Sequence, residues 1–548
     1  MLRRLFIVFI LISTFAVAGC KISGTITDEN EVGVGGVIVY LYGEGEVEGG
    51  SIMAITDADG NYVFEGFHHG KLIIKPDPGK EDYTFNPPFI EMTVGLFQNV
   101  LDADFTAVAK REPDTPPEIS LQPWSTYQGN AAHTGYVPVI LDTDNFAVAW
   151  TWPDEEAELV PLNPVAAGDG KVFVTTGGDY GPHLLTVLNS ADGTPLWTKN
   201  SDDIYSGDID FINPPAYANG TVYIQSGGYE GSFLWMFNAN SGEVLVNPAP
   251  YDNQGARNYA PTIYFYDDIN DGVYAAGGYY DVDNYYFGGV YGFNGVTGQG
   301  LWGLPLTPYE QWTPAVNENY VMAYTGWYTR YISPDLVRTE SLLTVIHRID
   351  SPGGTAGEVA FTISDPDFVQ NPDDQWSMHL APVLGGANNV IVINGGRLIN
   401  FDLAGQTIGW QIPQDENDQG DEEEKGGKQF SGQPSLANGF IYAVYKGYLH
   451  ARSENDGSFI WEWQPPLETP SEPQSGESIV TPMIVTDNLI FVSTESTAST
   501  ESTTYAVDLE SQTAVWSYPA GGHLALSDDG ILLIVTSEGI LHAISTLE

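Results

Sequence analysis

The side chains that could carry chemistry are few and widely separated. Cys20 is the chain's one cysteine, so a disulfide framework, a thiolate metal cluster and a haem-attachment pair are excluded. Its position singles it out: Arg3 and Arg4 open the chain, an apolar run follows from residue 5 to about 17, and Val17, Ala18 and Gly19 lead into Cys20. About thirteen apolar residues are too short for a membrane span, which needs about 20, but they suit an export signal. Two further segments gather polar chemistry. Residues 264–291 hold Tyr279, Tyr280, Tyr285 and Tyr286 around Asp281 and Asp283. Tyrosine offers rigid apolar area with a polar tip, which suits a protein interface or a sugar; the same residues could equally alternate across the faces of a sheet. Residues 415–428 hold Asp415, Glu416, Asp418, Asp421, Glu422, Glu423 and Glu424, either a solvated run or a contact for cations or a basic partner. His183, His347, His379, His450, His523 and His542 recur at no fixed spacing and read as structural. There is no Gly-x-Ser-x-Gly elbow, His-Glu-x-x-His pair or glycine-rich phosphate loop.

Residues 17–20 resemble the lipobox of bacterial lipoproteins. In that family the signal (here 1–19) is removed, and the cysteine, here Cys20, becomes a lipidated N-terminus. Two or three acyl chains anchor stably, whereas one binds marginally. Lys21 follows the cysteine, where an aspartate commonly retains such proteins in the inner membrane; the expected location is therefore the outer membrane of the cell envelope, on either face.

The elements that would position these groups are strands. Between residues 20 and 108, short β-rich runs alternate with turn signals: 21–27, 36–42, 51–56, 62–64, 71–75, 83–85, 89–94 and 102–107. Gly24, Thr25 and Ile26, then residues 36–39, then Thr56, Asp57 and residues 60–64 resemble the carboxypeptidase-regulatory-like (transthyretin-like) module, which implies a Greek-key β-sandwich used as a spacer or adhesive unit. Asp57 and Asp59 form either a plain turn or a Ca²⁺ pair lacking the rest of a calcium loop. Residues 109–123, with Pro113, Pro116, Pro117 and Pro123, read as a semi-rigid linker.

From 124 to 548 the chain repeats. The run from Asn163 through Gly170 recurs from Asn213 through Gly220 without a gap, and looser copies start at Pro261, Pro314, Pro382, Pro434, Pro482 and near Leu524. Each unit reads as four strands, the third ending in Asn or Asp before a glycine turn and the fourth closing on an aromatic: Gly193 to Trp197, Gly298 to Trp302, Gly457 to Trp461, with Trp410 and Trp516 in the same place and Val246 and Phe361 replacing Trp. Four short strands per unit of about 40–50 residues is the pattern of propeller blades. The last unit ends after its third strand. Residues 146–150 have the closing-strand pattern, including Trp150, without a blade before them, and are expected to complete it.

These units, with the opening run from Trp124 to Gly135, resemble the pyrroloquinoline-quinone (PQQ)-like repeat. The resemblance implies an all-β, eight-bladed propeller in which Trp150, Trp197, Trp302, Trp410, Trp461 and Trp516 dock on neighbouring blades. Cofactor-binding relatives use Ca²⁺ with carboxylate and amide ligands, a catalytic Asp, a stacking Trp and often a disulfide. The disulfide is impossible here and no aligned acid set is found, so the reading assigns no catalytic residue, no metal and no resident cofactor, with Ca²⁺ left open and PQQ disfavoured. Cofactor-free relatives include the propeller lipoprotein of the outer-membrane β-barrel assembly machine, which scaffolds partners. The expected function is therefore a monomeric, lipid-anchored, non-catalytic scaffold that binds a protein or glycan; the alternatives are a PQQ/Ca²⁺-dependent dehydrogenase and a carbohydrate-binding adhesin. The 19 Lys and Arg against 72 Asp and Glu, a net charge of −53, repel phosphate and exclude nucleic acid as a partner.

Overall fold

The computed structural model describes residues 21–28, 32–43, 52–65, 70–76, 83–87, 89–94, 99–109, 121–154, 156–178, 181–201, 204, 209–228, 231–246, 250–252, 259–265, 271–280, 286–306, 312–325, 341–351, 353–366, 381–386, 388–412, 430–466, 478–495 and 502–547. They form two compact units, divided between Glu118 and Ile119.

In the first unit, period-two alternation sends every second residue inward: Lys21–Asp28 buries Ile22, Gly24 and Ile26. One sheet joins Asn61–Glu65, Lys21–Asp28, Phe105–Ala109 and Tyr83–Asn86; the other joins Ile52–Ile55, Ile38–Gly43, Gly70–Pro76 and Ile90–Val94. Ile22, Ile26 and Phe64 from one, and Val39, Leu41 and Ile74 from the other, share one core. Asp57 caps the turn between Ile52–Ile55 and Asn61–Glu65, its Oδ1 accepting the N–H groups of Asp59 and Asn61 at 3.0 and 2.9 Å.

The second unit is all β apart from short 3-10 turns among the described residues. Its strands form eight antiparallel sheets in chain order. The first contains Ala166–Gly168, Lys171–Thr175, Leu184–Asn189 and Pro195–Asn200; the second Phe211–Ile212 and Ala216–Ala218 on Thr221–Gly228, then Gly231–Asn238 and Val244–Val246; the third Thr262–Tyr264, Gly272–Tyr280, Tyr286–Asn294 and Gly300–Leu306; the fourth Ala315–Val316, Tyr320–Thr325, Ser341–His347 and Val359–Asp365. The fifth contains Val383–Leu384, Asn389–Asn394, Arg397–Asp402 and Thr407–Ile412; the sixth Phe430–Ala437, Phe440–Tyr445, Tyr448–Ser453 and Phe459–Trp463; the seventh Ser478–Val485, Leu489–Glu495, Thr504–Asp508 and Thr513–Tyr518. The eighth takes His523–Leu526, Ile531–Val535 and Leu541–Ser545 from the end of the chain, and its fourth strand, Ala147–Trp152, from before the first sheet, with Val148 opposite Ile544 and Trp152 opposite Leu541. The closing strand expected from residues 146–150 is therefore in place. First strands of successive sheets are neighbours, and His523–Leu526 lies beside Ala166–Gly168. This is the arrangement of a multi-blade propeller, closed so that the first and last sheets cover each other's faces.

Central strands are apolar on both faces because each sheet is sandwiched between two others. Met322, Tyr324 and Leu343 of the fourth sheet pack on Val390, Ile399 and Phe401 of the fifth; on its other side the fifth packs Val383, Ile391 and Leu398 against Phe430, Leu436 and Ile441 of the sixth. Asn or Asp ends the third strand in five of the eight sheets, whereas His347, Ser453 and Ser545 end it in the fourth, sixth and eighth. Where present it folds the following turn: Asn294 Oδ1 accepts from Val296 and Thr297 at 3.0 and 2.8 Å, and Asp402 Oδ1 from Ala404 and Gly405 at 2.9 and 3.0 Å.

The same turn receives the tryptophan of the preceding sheet. Trp150 Nε1 donates to Ser190 O at 2.7 Å, Trp197 to Ala239 O at 3.0 Å and Trp410 to Glu454 O at 3.1 Å. A Cβ on the turn glycine would strike the indole at Gly193, Gly242 and Gly457, and would strike Trp302 at Gly357. Trp461 is buried with Ile490 and Val507 of the seventh sheet. Trp516 meets Phe146, beside the eighth sheet's closing strand, with ring centroids 5.2 Å apart. Where Val246 replaces Trp, the corresponding carbonyl, Gly295 O, accepts instead from Tyr223 Oη at 2.6 Å.

Candidate functional site: a closed axis and a loop-bearing rim

First strands of propeller sheets leave main-chain N–H groups facing the axis with no strand beyond them. Here the opening segment, residues 124–135, satisfies them. Its carbonyls at Trp124, Ser125, Ala131, Ala132, Thr134 and Gly135 accept from Ala167, Tyr217, Val316, Leu384, Leu436 and Val485, at 2.7–3.0 Å, in six different sheets. Thr126 Oγ1 donates to Pro261 O at 2.7 Å, beside the third sheet, and Gln128 Nε2 to Pro434 O at 2.8 Å. The path needs tight bends. Gly129 has φ +82° with its open side against the Trp124 ring, and Gly135 has φ +65° against Met483 O; a side chain would be strained and obstructed at both.

His133 lies near the end of this segment, fully buried. Its Nδ1 is 3.1 Å from Pro382 O and its Nε2 is 3.1 Å from Thr262 Oγ1. A carbonyl only accepts, so the proton sits on Nδ1. Burial pushes the imidazole pKa down to about 3, against a smaller upward pull from the Pro382 carbonyl. Sequence reasoning passed His133 over because its partners lie 129 and 249 residues away; its only signal was membership of the opening run.

Beside the segment an axial recess is lined by Trp124, Gln128, Pro164, Pro214, Pro482 and His523, among others. His523 is accessible from the recess yet closely surrounded by protein, and that crowding lowers its pKa. PQQ is a tricarboxylate that binds with Ca²⁺. The lining offers proline, aliphatic, aromatic and neutral polar groups, with neither a carboxylate for the cation nor a Lys or Arg for the cofactor's charges. The described residues of this recess therefore do not fit that group. No cluster of three or more His, Cys, Asp or Glu suited to a metal occurs among the described residues.

Connections of two kinds join the strands. Those between first and second, and between third and fourth strands, leave one rim and are mostly tight turns. Those between second and third strands, and from each fourth strand to the next sheet, leave the opposite rim. The second-to-third connection of the third sheet joins Gly272–Tyr280 to Tyr286–Asn294, with Tyr280 paired to Tyr286 and Tyr279 to Phe287. That of the fourth sheet joins Tyr320–Thr325 to Ser341–His347, and the link from fifth to sixth sheet joins Thr407–Ile412 to Phe430–Ala437. All three long insertions thus depart from the same rim. Tyr279, Tyr280 and Tyr286 belong to strands that carry this rim; Asp281, Asp283 and Tyr285 lie outside the described residues, as do Asp421, Glu422, Glu423 and Cys20.

At the roots of these insertions the fourth and fifth sheets are joined by a buried polar network. Arg397 Nη1 and Nη2 donate to the two carboxylate oxygens of Asp365 at 2.9 and 2.8 Å, and Tyr324 Oη donates to Asp365 at 2.8 Å. Both charged side chains are almost fully enclosed. Burial, reinforced by the Asp365 charge, holds the Tyr324 hydroxyl far above its usual pKa.

The sequence matches the PQQ-repeat family model described as outer membrane protein assembly factor BamB over residues 134–375 and 369–518. No curated protein matches the chain. Among solved structures, the quinohemoprotein alcohol dehydrogenase ADHIIG from Pseudomonas putida HK5 is 12% identical, with 78% of this chain and 80% of that one covered and a TM-score of 0.50. The computationally designed Ika8 protein is 12% identical over 73% of this chain and 99% of its own, with a TM-score of 0.47. A europium-containing methanol dehydrogenase is 14% identical over 75% and 89%, with a TM-score of 0.46. At such identities the likeness is one of fold. The fourfold strand pattern, the tryptophan docks and the extent of the family match lead to one conclusion: the chain belongs to the PQQ-repeat propeller family described as outer membrane protein assembly factor BamB.

Proposed function

We propose that this protein is a non-catalytic binding scaffold of the bacterial cell envelope, exported, anchored by lipid on Cys20, and presenting the loop-bearing rim of its propeller to a protein or glycan partner. The observation that carries the reading is the division of the propeller: main chain bonded to the inner strands occupies its axial side, and its long insertions leave from one rim. A scaffold needs a rigid ring and variable loops. A quinoprotein dehydrogenase needs cofactor and cation ligands on the axis, where this recess presents neutral groups. The family description makes outer-membrane assembly components the first partner class to test.

The experiment is affinity capture from detergent-solubilised membranes, comparing the wild-type chain with one in which residues 415–428 are replaced by a Gly-Ser linker, and another with Tyr279, Tyr280, Tyr285 and Tyr286 changed to Ser. Loss of one set of captured components in either variant supports the rim; identical capture by all three chains counts against it. A glycan array read with the same three chains distinguishes a sugar ligand from a protein one. Cys20→Ser is expected to move the protein from the membrane fraction to the soluble one. Cofactor-dependent dye reduction by protein incubated with PQQ, Ca²⁺ and alcohols or sugars would replace this reading with the dehydrogenase one.

A further inference from the structure

The residue at which each preceding sheet docks occupies a recurring position, buried in most sheets. Its N–H donates back across the sheet, as Ser190 does to Gly170 O, Glu454 to Gly439 O and Leu509 to Asn488 O, at 2.8–3.0 Å. The side chains there are mostly small, apolar or internally bonded. Ala239, Gly295, Leu403 and Leu509 carry no polar side-chain atom; Ser190 Oγ donates to Asp529 at 2.9 Å, and Arg348 Nε to Glu318 O at 2.8 Å. Glu454 differs. It is more than nine-tenths buried, and its Oε1 meets no donor. Asn389, equally buried at the start of the fifth sheet's second strand, has an Oδ1 that likewise meets no donor. Both oxygens crowd the point where Gly385 would carry a Cβ. The missing Cβ leaves a cradle that one carboxylate oxygen and one amide oxygen from consecutive sheets enter, and neighbouring Gly386 is exposed with open space on its side-chain face.

A buried carboxylate oxygen without a donor is costly. Two acceptors directed at one point, one of them anionic, call for a positive charge between them. The donors are oxygen only, which selects a hard cation over a transition metal. Water entering beside Gly386 can supply the further ligands that Ca²⁺ takes, six to eight oxygens in all. The surrounding field favours the ion, because the chain carries a net charge of −53. We propose that Glu454 Oε1 and Asn389 Oδ1 form a Ca²⁺ site that staples the fifth propeller sheet to the sixth beside the Trp410 dock. With two side-chain ligands it belongs among weak extracellular sites, with dissociation constants of about 10⁻⁴–10⁻³ M.

Trp410 supplies the probe. Its Nε1 lies 3.1 Å from Glu454 O, so Tb³⁺ in the cradle is close enough to be excited through the indole. Purified full-length protein, in buffer of constant ionic strength, is titrated with Tb³⁺ and back-titrated with Ca²⁺, and its melting temperature is followed with and without Ca²⁺. The wild type should show sensitised emission that Ca²⁺ displaces, and a Ca²⁺-dependent rise in melting temperature. Glu454→Gln keeps the shape and removes the charge; it should lose most of the emission and the Ca²⁺ increment. Glu454→Leu, which installs the residue found at two equivalent turns, should melt independently of Ca²⁺ and above the Ca²⁺-free wild type. Trp410→Phe should lose the emission but keep the increment. Equal emission and equal increments in wild type and Glu454→Gln would overturn the site, placing the ions on surface carboxylates and leaving a water between the two oxygens.

Discussion

His133 joins distant parts of the ring through one neutral imidazole, and its environment makes it an acid-sensitive lock. In the unfolded chain it takes up a proton near pH 6.5; in the folded protein it resists until about pH 3. Above pH 6.5 both states are neutral and its contribution is complete. As pH falls from 6.5 towards 3 the unfolded state binds a proton that the folded state refuses, so stability is lost at up to about 1.4 kcal/mol per pH unit. Urea midpoints measured at pH 7 and pH 5 should therefore fall more steeply for the wild type than for His133→Gln; parallel midpoints would remove His133 from the acid response. The Arg397–Asp365 pair is enclosed and is tested by substitution. Asp365→Asn leaves an enclosed guanidinium without its counter-charge and should cost about 3–5 kcal/mol, whereas the double change Asp365→Leu with Arg397→Met should come much closer to the wild type. Denaturant midpoints for the three chains test this.

At the scale of elements, the sheets were legible because their signals are local. Gly193 before Trp197 and Asn189 before both are fixed by one turn that folds on its own side chains and receives the previous sheet's indole. The closing role of residues 146–150 was legible for the same reason: a fourth-strand pattern stood where no sheet preceded it. The opening segment was not legible in this way. It bonds through main-chain carbonyls to N–H groups in six sheets, and carbonyls leave no side-chain pattern beyond the glycines that bend the path. His133 and the Asn389–Glu454 cradle were hidden because their partners meet only once the sheets are arranged. The rim was partly legible: insertion lengths located the loops, while strand polarity put them on one side. The seam between first and eighth sheets is where this construction is most exposed to damage, since Trp150 carries both the closing strand and the bond to Ser190 O. Trp150→Ala should cost about 3–5 kcal/mol. Amide exchange should accelerate first in residues 147–152 and 541–545. Equal acceleration across all eight sheets would show that the ring opens as one unit instead.

At the scale of the whole molecule, the chain's net charge is −53, and among the described residues the acids other than Asp271, Asp365 and Glu454 lie at or near the surface. Two of the few arginines are withdrawn from that surface: Arg348 lies over the Tyr264 ring at 4.4 Å and Arg397 is sealed against Asp365. Arg452 is half-buried against the rings of Phe430 and Tyr445. Carboxylates in the tight turns, such as Asp192, Asp456 and Asp508, instead have pKa values lowered by hydrogen bonds from their own turns, so they stay ionised without a neighbouring cation. The compact ring holds like charges closer than the unfolded chain does, and this self-repulsion works against folding. Its range is set by salt, about 30 Å at 0.01 M and about 8 Å at 0.15 M. Raising NaCl from about 10 to about 300 mM shortens that range several-fold and should therefore raise the melting temperature. The enclosed Arg397–Asp365 pair, sheltered from mobile ions, should keep its contribution throughout. Neutralising Asp421, Glu422, Glu423 and Glu424 to Asn and Gln should flatten the salt dependence only in part, because the remaining acids are spread along the chain. If the melting temperature fell with NaCl, attraction between local ion pairs would outweigh repulsion across the ring, and the −53 would no longer describe how the folded surface behaves. The same titration bears on the partner: salt that stabilises the ring should also release a partner held by charge on residues 415–424, while leaving one held by the tyrosines in place.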